Sequence, residues 1–155
     1  MRPKTFKADK EYQVWVAGLL DEQEFERWFN SALKTLESAR VDHAHGFYSW
    51  ACFKAQQAAE KAVKALLWGL GFPRTGHSLS LLISKLEEIM GNIPKPVVEK
   101  CMRLNKYYIP TRYPDAWSEG IPEEQYTESE SQEALAMAEE VLKWVEETWK
   151  SLRKG

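Results

Sequence analysis

The stretch YYIPTRYPDAW, from Tyr107 to Trp117, contains the side chains of this sequence that are best suited to bind a ligand. Arg112 can hold a phosphate through a pair of charge-assisted hydrogen bonds, because its guanidinium presents a planar fork of donors. Tyr108 and Tyr113 offer aromatic faces on which a base can stack, and Asp115 can accept a hydrogen bond from a ribose or a base. These residue types favour the binding of a nucleotide or of RNA phosphate.

The same residues also have a structural interpretation, in which they hold the loop in place. Arg112 and Asp115 would then pair with each other, or Arg112 would bond to backbone carbonyls, while Tyr113 and Pro114 would serve as packing. The two interpretations predict opposite effects of the Arg112→Ala substitution. A binding residue would lose ligand affinity with little loss of stability, whereas a structural residue would lose stability.

Charge is distributed unevenly along this chain, whose net charge is only −2. Five basic residues and one glutamate lie between Lys95 and Arg112, and Lys106 stands just before the loop. Ten glutamates and one lysine lie between Glu119 and Glu147. The basic segment is either a solvated helix face or a patch that leads a phosphate to the loop. The small net charge predicts no general affinity for nucleic acid, and no recognition of a DNA sequence is expected.

The three histidines are assigned mainly structural roles. His77 lies just before a predicted helix, where capping of backbone amides or turn packing is expected. The alternative for His77 is a part in the nucleotide site or in catalysis. His43 and His45 lack further ligands, and the chain has no CxxC motif, so neither a metal site nor a cofactor is predicted.

Two cysteines and two lysines lie within predicted helices. Cys52 and Cys101 occur in apolar patterns and are predicted to be buried free thiols, with a disulfide as the alternative. Lys61 and Lys64 are three residues apart and therefore near one another on a helix surface, where solvated side chains are expected. None of the four is predicted to take part in chemistry.

Five amphipathic helices and no strand are predicted from the spacing of the apolar residues. Asp21 and Thr127 are candidate N-caps, each with a glutamate three residues on, and Pro110 ends the fourth helix. Short joints between successive helices predict an all-α, antiparallel up-and-down bundle with one long irregular loop before the last helix. The helices are expected near residues 22–40, 46–70, 79–91, 95–109 and 128–152.

The chain of 155 residues is predicted to form one helical domain, residues 22–155, preceded by an extension. The extension, residues 1–21 with Trp15 and Leu19, is expected to pack on the bundle or on a second subunit. Its apolar run, residues 14–20, is far shorter than the ~20 residues that a membrane span requires, and no small-residue cleavage site follows. A cytoplasmic protein without membrane contact is expected.

Four segments in a fixed order resemble the HEPN family, whose name abbreviates "higher eukaryotes and prokaryotes nucleotide-binding". They are FKAQQAAEKAVKALLWGLG (Phe53 to Gly71), GHSLSLLISKL (Gly76 to Leu86), YYIPTRYPDAW and a closing helix with EALAMAEEVLKWV. No single segment is decisive, but the ordered set is fairly specific. The resemblance extends over roughly Glu22 to Val145, which is nearly the whole chain.

The resemblance implies a bundle that is usually a homodimer and that, in prokaryotes, is often paired with a small nucleotidyltransferase in a toxin–antitoxin-like module. Many family members are ribonucleases with a motif of arginine followed, after four to six residues, by histidine. Arg112 aligns with this arginine, but Trp117, Ser118 and Glu119 occupy the positions of the histidine. A histidine suits RNA cleavage because its pKa of about 6.5 permits proton exchange at neutral pH. No Arg112-dependent cleavage is therefore predicted.

Three functions from different classes are compatible with the sequence. The preferred one is a non-catalytic nucleotide- or RNA-binding module that acts with a small nucleotidyltransferase. The alternatives are a metal-independent ribonuclease toxin with a rearranged site, for which His77 is the first candidate base, and a purely structural homodimer. The seven tryptophans and six phenylalanines are many for one small bundle to bury, which also predicts a homodimer.

Overall fold

Five α-helices, joined by short turns and one long loop, make up residues 19–154, which are the residues that this computed structural model describes. The loop between the last two helices contains two 3-10 helices, Pro114–Ala116 and Pro122–Glu124. No strand occurs within the described residues, and the predicted all-α antiparallel bundle with one irregular loop before its last helix is confirmed. In chain order the helices are α1 (Glu22–Ala44), α2 (Tyr48–Gly69), α3 (Leu79–Met90), α4 (Lys95–Asn105) and α5 (Glu128–Arg153).

Helix α2 occupies the centre of the bundle and contacts each of the other four helices. Small side chains on α2 let its neighbours approach closely. At Gly69, an added Cβ would lie 2.6 Å from the Trp149 ring and 3.1 Å from Phe25 Cβ. Phe25 and Trp149 stack there with ring centroids 4.2 Å apart. The fully buried alanines of α2 are Ala51, Ala55, Ala58, Ala59, Ala62 and Ala65.

Two helix ends differ from the sequence prediction. Helix α1 continues to Ala44 rather than ending near Arg40, and Gly46, with a φ of 82°, provides the left-handed turn that follows it. Helix α4 ends at Asn105 rather than near Ile109. The helix thus ends before Ile109, the residue next to Pro110, because the proline ring also conflicts with the helical carbonyl four residues before it.

The N-terminal caps of α1 and α5 follow the predicted pattern. Asp21 Oδ1 accepts a hydrogen bond from Glu24 N at 3.1 Å. Thr127 and Glu130 form a reciprocal capping box, in which Thr127 Oγ1 accepts from Glu130 N at 3.1 Å and Glu130 Oε1 accepts from Thr127 N at 3.1 Å. Each cap satisfies amide groups that an α-helix leaves unpaired at its N-terminus.

The predicted packing of residues 1–21 falls largely outside the described residues, and Trp15 lies among those that are not described. Leu19 is exposed. Asp21 N donates to Gly69 O at 2.8 Å, which joins the beginning of α1 to the end of α2. Among residues 19–154, no helix is both long enough and apolar enough to cross a membrane.

Cys52 and Cys101 are buried free thiols, as predicted. Burial raises the pKa of each thiol to about 12, and the negative charge of Glu130 adds to the effect at Cys52. Because the thiolate is the reactive form of cysteine, neither side chain is suited to nucleophilic chemistry at neutral pH. Both thiols act as small apolar groups of the core.

Candidate functional site

Pro110 determines the form of the loop that follows α4. Proline has no amide hydrogen and disfavours helical geometry in the preceding residue, so the helix ends before it and the carbonyls of Tyr107 and Tyr108, which follow α4, have no helical amide partners. Side chains four residues further on replace two of those partners. Thr111 Oγ1 donates to Tyr107 O at 2.6 Å, and Tyr108 O accepts from Arg112 Nε at 2.9 Å and from Arg112 Nη2 at 2.7 Å.

Arg112 is partly buried and lies among three aromatic rings. Its guanidinium carbon is 4.1 Å from the centroid of Phe53, 4.7 Å from that of Tyr108 and 4.9 Å from that of Tyr113. Such cation–π contacts hold the guanidinium plane in place. No ion pair joins Arg112 to Asp115, so of the two structural alternatives the bonds to a backbone carbonyl are the ones observed.

The guanidinium of Arg112 retains hydrogen-bond donors. The edge formed by Nε and Nη2 is directed at Tyr108 O, whereas the other edge, formed by Nη1 and the second hydrogen of Nη2, makes no hydrogen bond within residues 19–154. A phosphate or carboxylate can bind to two such parallel donors. Arg112 is therefore both a structural residue of the loop and a candidate anion-binding residue.

His77 packs on the other side of this aromatic group. Its ring stacks on Tyr108 with centroids 5.1 Å apart and planes 16° apart, and its Nδ1 lies 3.3 Å from Glu60 Oε2. Helix α3 is capped by Ser78, whose Oγ accepts from Leu81 N at 3.3 Å. Of the two structural roles predicted for His77, packing is therefore the one observed, and capping is not.

Glu60 is buried and belongs to a cluster of polar side chains on α2. Its Oε1 accepts from Gln56 Nε2 and from Gln57 Nε2, each at 3.3 Å, and its Oε2 lies 3.1 Å from Lys64 Nζ. Lys64 is also buried, with its ammonium 5.4 Å from the centroid of a Trp28 ring. The prediction that Lys64 is solvated is wrong, because α2 is covered by neighbouring helices.

The sequence carried a signal for this cluster that the prediction did not use. Gln56, Glu60 and Lys64 are each four residues apart, so they share one face of α2, and buried alanines flank them. A charged pair set among buried small residues indicates an internal ion pair rather than a solvated one. Lys61 differs from Lys64, since it is partly buried and donates to Thr35 Oγ1 at 2.9 Å.

A surface groove of about 380 Å³ brings several of the predicted site residues together. His77, Lys106 and Tyr108 line it, and Arg112 and Tyr113 adjoin it through the contact of Arg112 with the Tyr108 ring. Five of the six predicted site residues therefore lie side by side. The remaining lining residues are Ser78, Asn105, Ile109 and Pro110.

Some of the charges predicted near the site do not contribute to it. Asp115 is exposed in the first 3-10 helix and makes no hydrogen bond or ion pair with the described residues. On α4, Lys100 Nζ lies 2.8 Å from Glu140 Oε2, and Arg103 pairs with Glu133. These two basic residues thus belong to a solvated interface between α4 and α5, and the basic patch is smaller than its sequence suggests.

The rest of the loop is held by a small aromatic cluster. Trp117 Nε1 donates to Pro110 O at 2.7 Å, and the Trp117 ring meets Tyr126 edge-on at 5.7 Å. Tyr126 in turn meets Tyr107 edge-on at 6.0 Å, and burial raises the pKa of both tyrosines. The first position at which the resemblance places a catalytic histidine is therefore taken by a packing residue, Trp117.

His43 and His45 make hydrogen bonds near the end of α1. His43 Nδ1 lies 2.8 Å from Ser131 Oγ, and His45 Nδ1 lies 2.9 Å from Val41 O. The described residues contain no group of three histidine, cysteine or acidic side chains that could hold a metal ion.

The buried pair predicts a strong effect of a single substitution. Glu60→Ala should destabilise the protein by roughly 3–5 kcal/mol, because it leaves the Lys64 ammonium buried without its counter-charge. The double variant Glu60→Leu with Lys64→Met removes both charges and should recover much of this loss in denaturant unfolding. Glu88→Ala, which breaks the exposed Lys85–Glu88 pair, is the control and should cost less than about 1 kcal/mol. Equal losses for Glu60→Ala and Glu88→Ala would contradict this account.

Comparison with known proteins identifies the family. The HEPN domain matches residues 25–148, and no curated protein matches the chain. Among solved structures, TT1696 from Thermus thermophilus is 43% identical, with a TM-score of 0.76, and the match covers 79% of this chain and 96% of that one. ST0689, described as an archaeal HEPN homologue, is 40% identical, with a TM-score of 0.68 and coverage of 80% and 96%.

A third structure, an HEPN domain protein from Thermotoga maritima, is 32% identical, with a TM-score of 0.65 and coverage of 80% of this chain and 98% of that one. The matched region agrees with the extent of the resemblance seen in the sequence. Fold, order of the helices and sequence identity lead to the same assignment. The chain belongs to the HEPN domain family.

Proposed function

We propose that this HEPN protein is a nucleotide- or RNA-binding module that holds a phosphate at Arg112 and a base on the neighbouring tyrosines, without cleaving its ligand. The observation that carries the proposal is the placement of Arg112. One edge of its guanidinium is bound to Tyr108 O, and the other edge retains its donors. Because the side chain is already held, it loses little conformational entropy when a phosphate binds.

The aromatic side chains beside Arg112 are suited to hold a base. Tyr113 is 47% exposed, and its ring lies beside the guanidinium. A base stacked on Tyr113 would therefore bring its phosphate close to Arg112. Lys106 adds a positive charge to the adjoining groove, which attracts a phosphate without determining which base is bound.

Binding without cleavage is supported by the residues at Arg112 and at the positions that follow it. Metal-independent cleavage of RNA requires one group that removes the proton of the 2′-hydroxyl and another that protonates the leaving oxygen. A guanidinium group is not suited to either role, because it presents donors only and no acceptor. Trp117, which stands where a histidine is expected, is packed in the loop, and Ser118 and Glu119 have no imidazole.

The sharpest test of the proposal is Tyr113→Ala. The affinity for a fluorescent single-stranded RNA, with AMP as competitor, should fall by roughly 1–3 kcal/mol, the range for loss of one stacked base. The melting temperature should change little, because the ring is exposed. Ile121→Ala, which removes an exposed apolar side chain from the same loop, is the matched control and should leave the affinity unchanged.

Arg112→Ala tests the phosphate contact on the same ligands. It should weaken binding by roughly 1.5–3 kcal/mol, the range for hydrogen bonds to charged groups, and reduce the salt dependence of binding. It should also lower the melting temperature, because Tyr108 O loses both of its donors. If the melting temperature falls while the wild type binds neither RNA nor AMP, the loop is structural only.

A ribonuclease with a rearranged site is the second candidate, and one observation favours it. The carboxylate of Glu60 lies 3.3 Å from His77 Nδ1, as in pairs where an acidic residue orients a catalytic imidazole. If the purified protein cleaves RNA and His77→Ala abolishes the cleavage while RNA binding persists, this candidate replaces the first. Our proposal predicts no cleavage products from wild type or variant.

A homodimer and a small nucleotidyltransferase partner are further parts of the proposal. The dimer is supported by large apolar side chains that remain exposed on a single chain, among them Val41, Phe47 and Met102. Sedimentation at micromolar concentration should give about twice the chain mass of 18.0 kDa, and a mass of one chain would refute the dimer. The nucleotidyltransferase partner is supported by the family resemblance.

A further inference from the structure

A second groove adjoins the one beside Tyr108, and His77 and Ser78 line both. The volume of the second groove is about 550 Å³, against about 380 Å³ for the first. Each lies within the ~300–1,000 Å³ range of small-ligand sites. The turn between α2 and α3 and the first half of α3 form the second groove, whose walls include Arg74 and Lys85.

Arg74 is the basic residue of the second groove that is left for a ligand. It is exposed and makes no ion pair or hydrogen bond within residues 19–154. Lys85 Nζ, in contrast, lies 3.0 Å from Glu88 Oε2, so these two charges offset each other. Lys106 lines only the first groove, and Arg74 lines only the second. Within the part of the chain that the structure describes, the two grooves thus have one available cation each.

His77 lies where the two grooves join, and its ring is held from two sides. Nδ1 is directed at Glu60, and one face stacks on Tyr108. Nε2, across the ring from Nδ1, makes no hydrogen bond with the described residues, and the side chain is 57% exposed. Nε2 is therefore the ring nitrogen that a molecule crossing from one groove to the other would meet.

We infer that Arg74 is a second phosphate-binding residue and that the ligand is a single-stranded nucleic acid of at least two nucleotides, which passes over His77. The inference rests on the proposed function, because the first phosphate is the one held at Arg112. A mononucleotide carries its phosphate at one end of the molecule, whereas Arg112 adjoins the first groove and Arg74 lines the second. A flexible strand carries phosphates at regular intervals and can follow a groove from one cation to the next.

Binding of fluorescent oligoadenylates of one, two, four and six nucleotides to the full chain tests the inference. For wild type, affinity should rise with length and then level off once both grooves are filled. Arg74→Ala should weaken binding of the four- and six-nucleotide ligands roughly tenfold and lower the salt slope by about one, while leaving AMP binding unchanged. Lys143→Ala removes an exposed lysine of α5 that lines neither groove, and it should behave as wild type.

The outcomes separate this inference from the proposed function. If Arg74→Ala binds every length like wild type while Tyr113→Ala and Arg112→Ala weaken binding, the site at Arg112 stands and the second phosphate site does not exist. AMP binding as tight as that of the hexanucleotide would overturn the inference in the same way. If wild type binds no ligand of any length, the proposed function fails and the inference fails with it. Circular dichroism should show unchanged helix content for Arg74→Ala. Arg74 has no hydrogen-bond or ion-pair partner among residues 19–154, so its truncation leaves no group unpaired.

Discussion

Pro110, which stops the helix from continuing, is the constraint on which both the loop and the candidate site depend. It ends α4 and leaves carbonyls that must find other donors, because unpaired backbone groups in a partly buried position are costly. Arg112 supplies two donors to the carbonyl of Tyr108, and Thr111 supplies one to that of Tyr107. The arginine is thereby fixed among aromatic rings, in an orientation that a freely rotating surface arginine would not keep.

A second constraint acts from inside the bundle. Burial of the Glu60–Lys64 pair requires both charges to give up their hydration, and such pairs are weak evidence for stability. This pair extends to the surface through His77, which contacts Glu60 Oε2 and stacks on Tyr108. The ion pair therefore acts on the groove as well as on the core, since Glu60 determines which edge of the imidazole is turned away from solvent.

The sequence predicted the helices well, because apolar spacing, caps such as Thr127 and the break at Pro110 are local signals. It also predicted that residues near Arg112 lie together. It did not predict the partners of those residues, since Phe53 and Glu60 on α2 reach Arg112 and His77 only after distant segments pack. The same reason explains the wrong prediction for Lys64, as a period of four residues does not reveal that neighbouring helices cover the face of α2 that carries Lys64.

The candidate site is assembled from three elements that pack against one another around α2. Phe53 and Glu60 come from α2, His77 from the turn before α3, and Tyr108 and Arg112 from the loop after α4. A displacement of α3 or α4 against α2 would separate the imidazole from the guanidinium without altering either side chain. Close packing through buried alanines limits such displacements, because well-packed interiors deform little. The small residues of α2 therefore contribute to the geometry of a site that none of them touches.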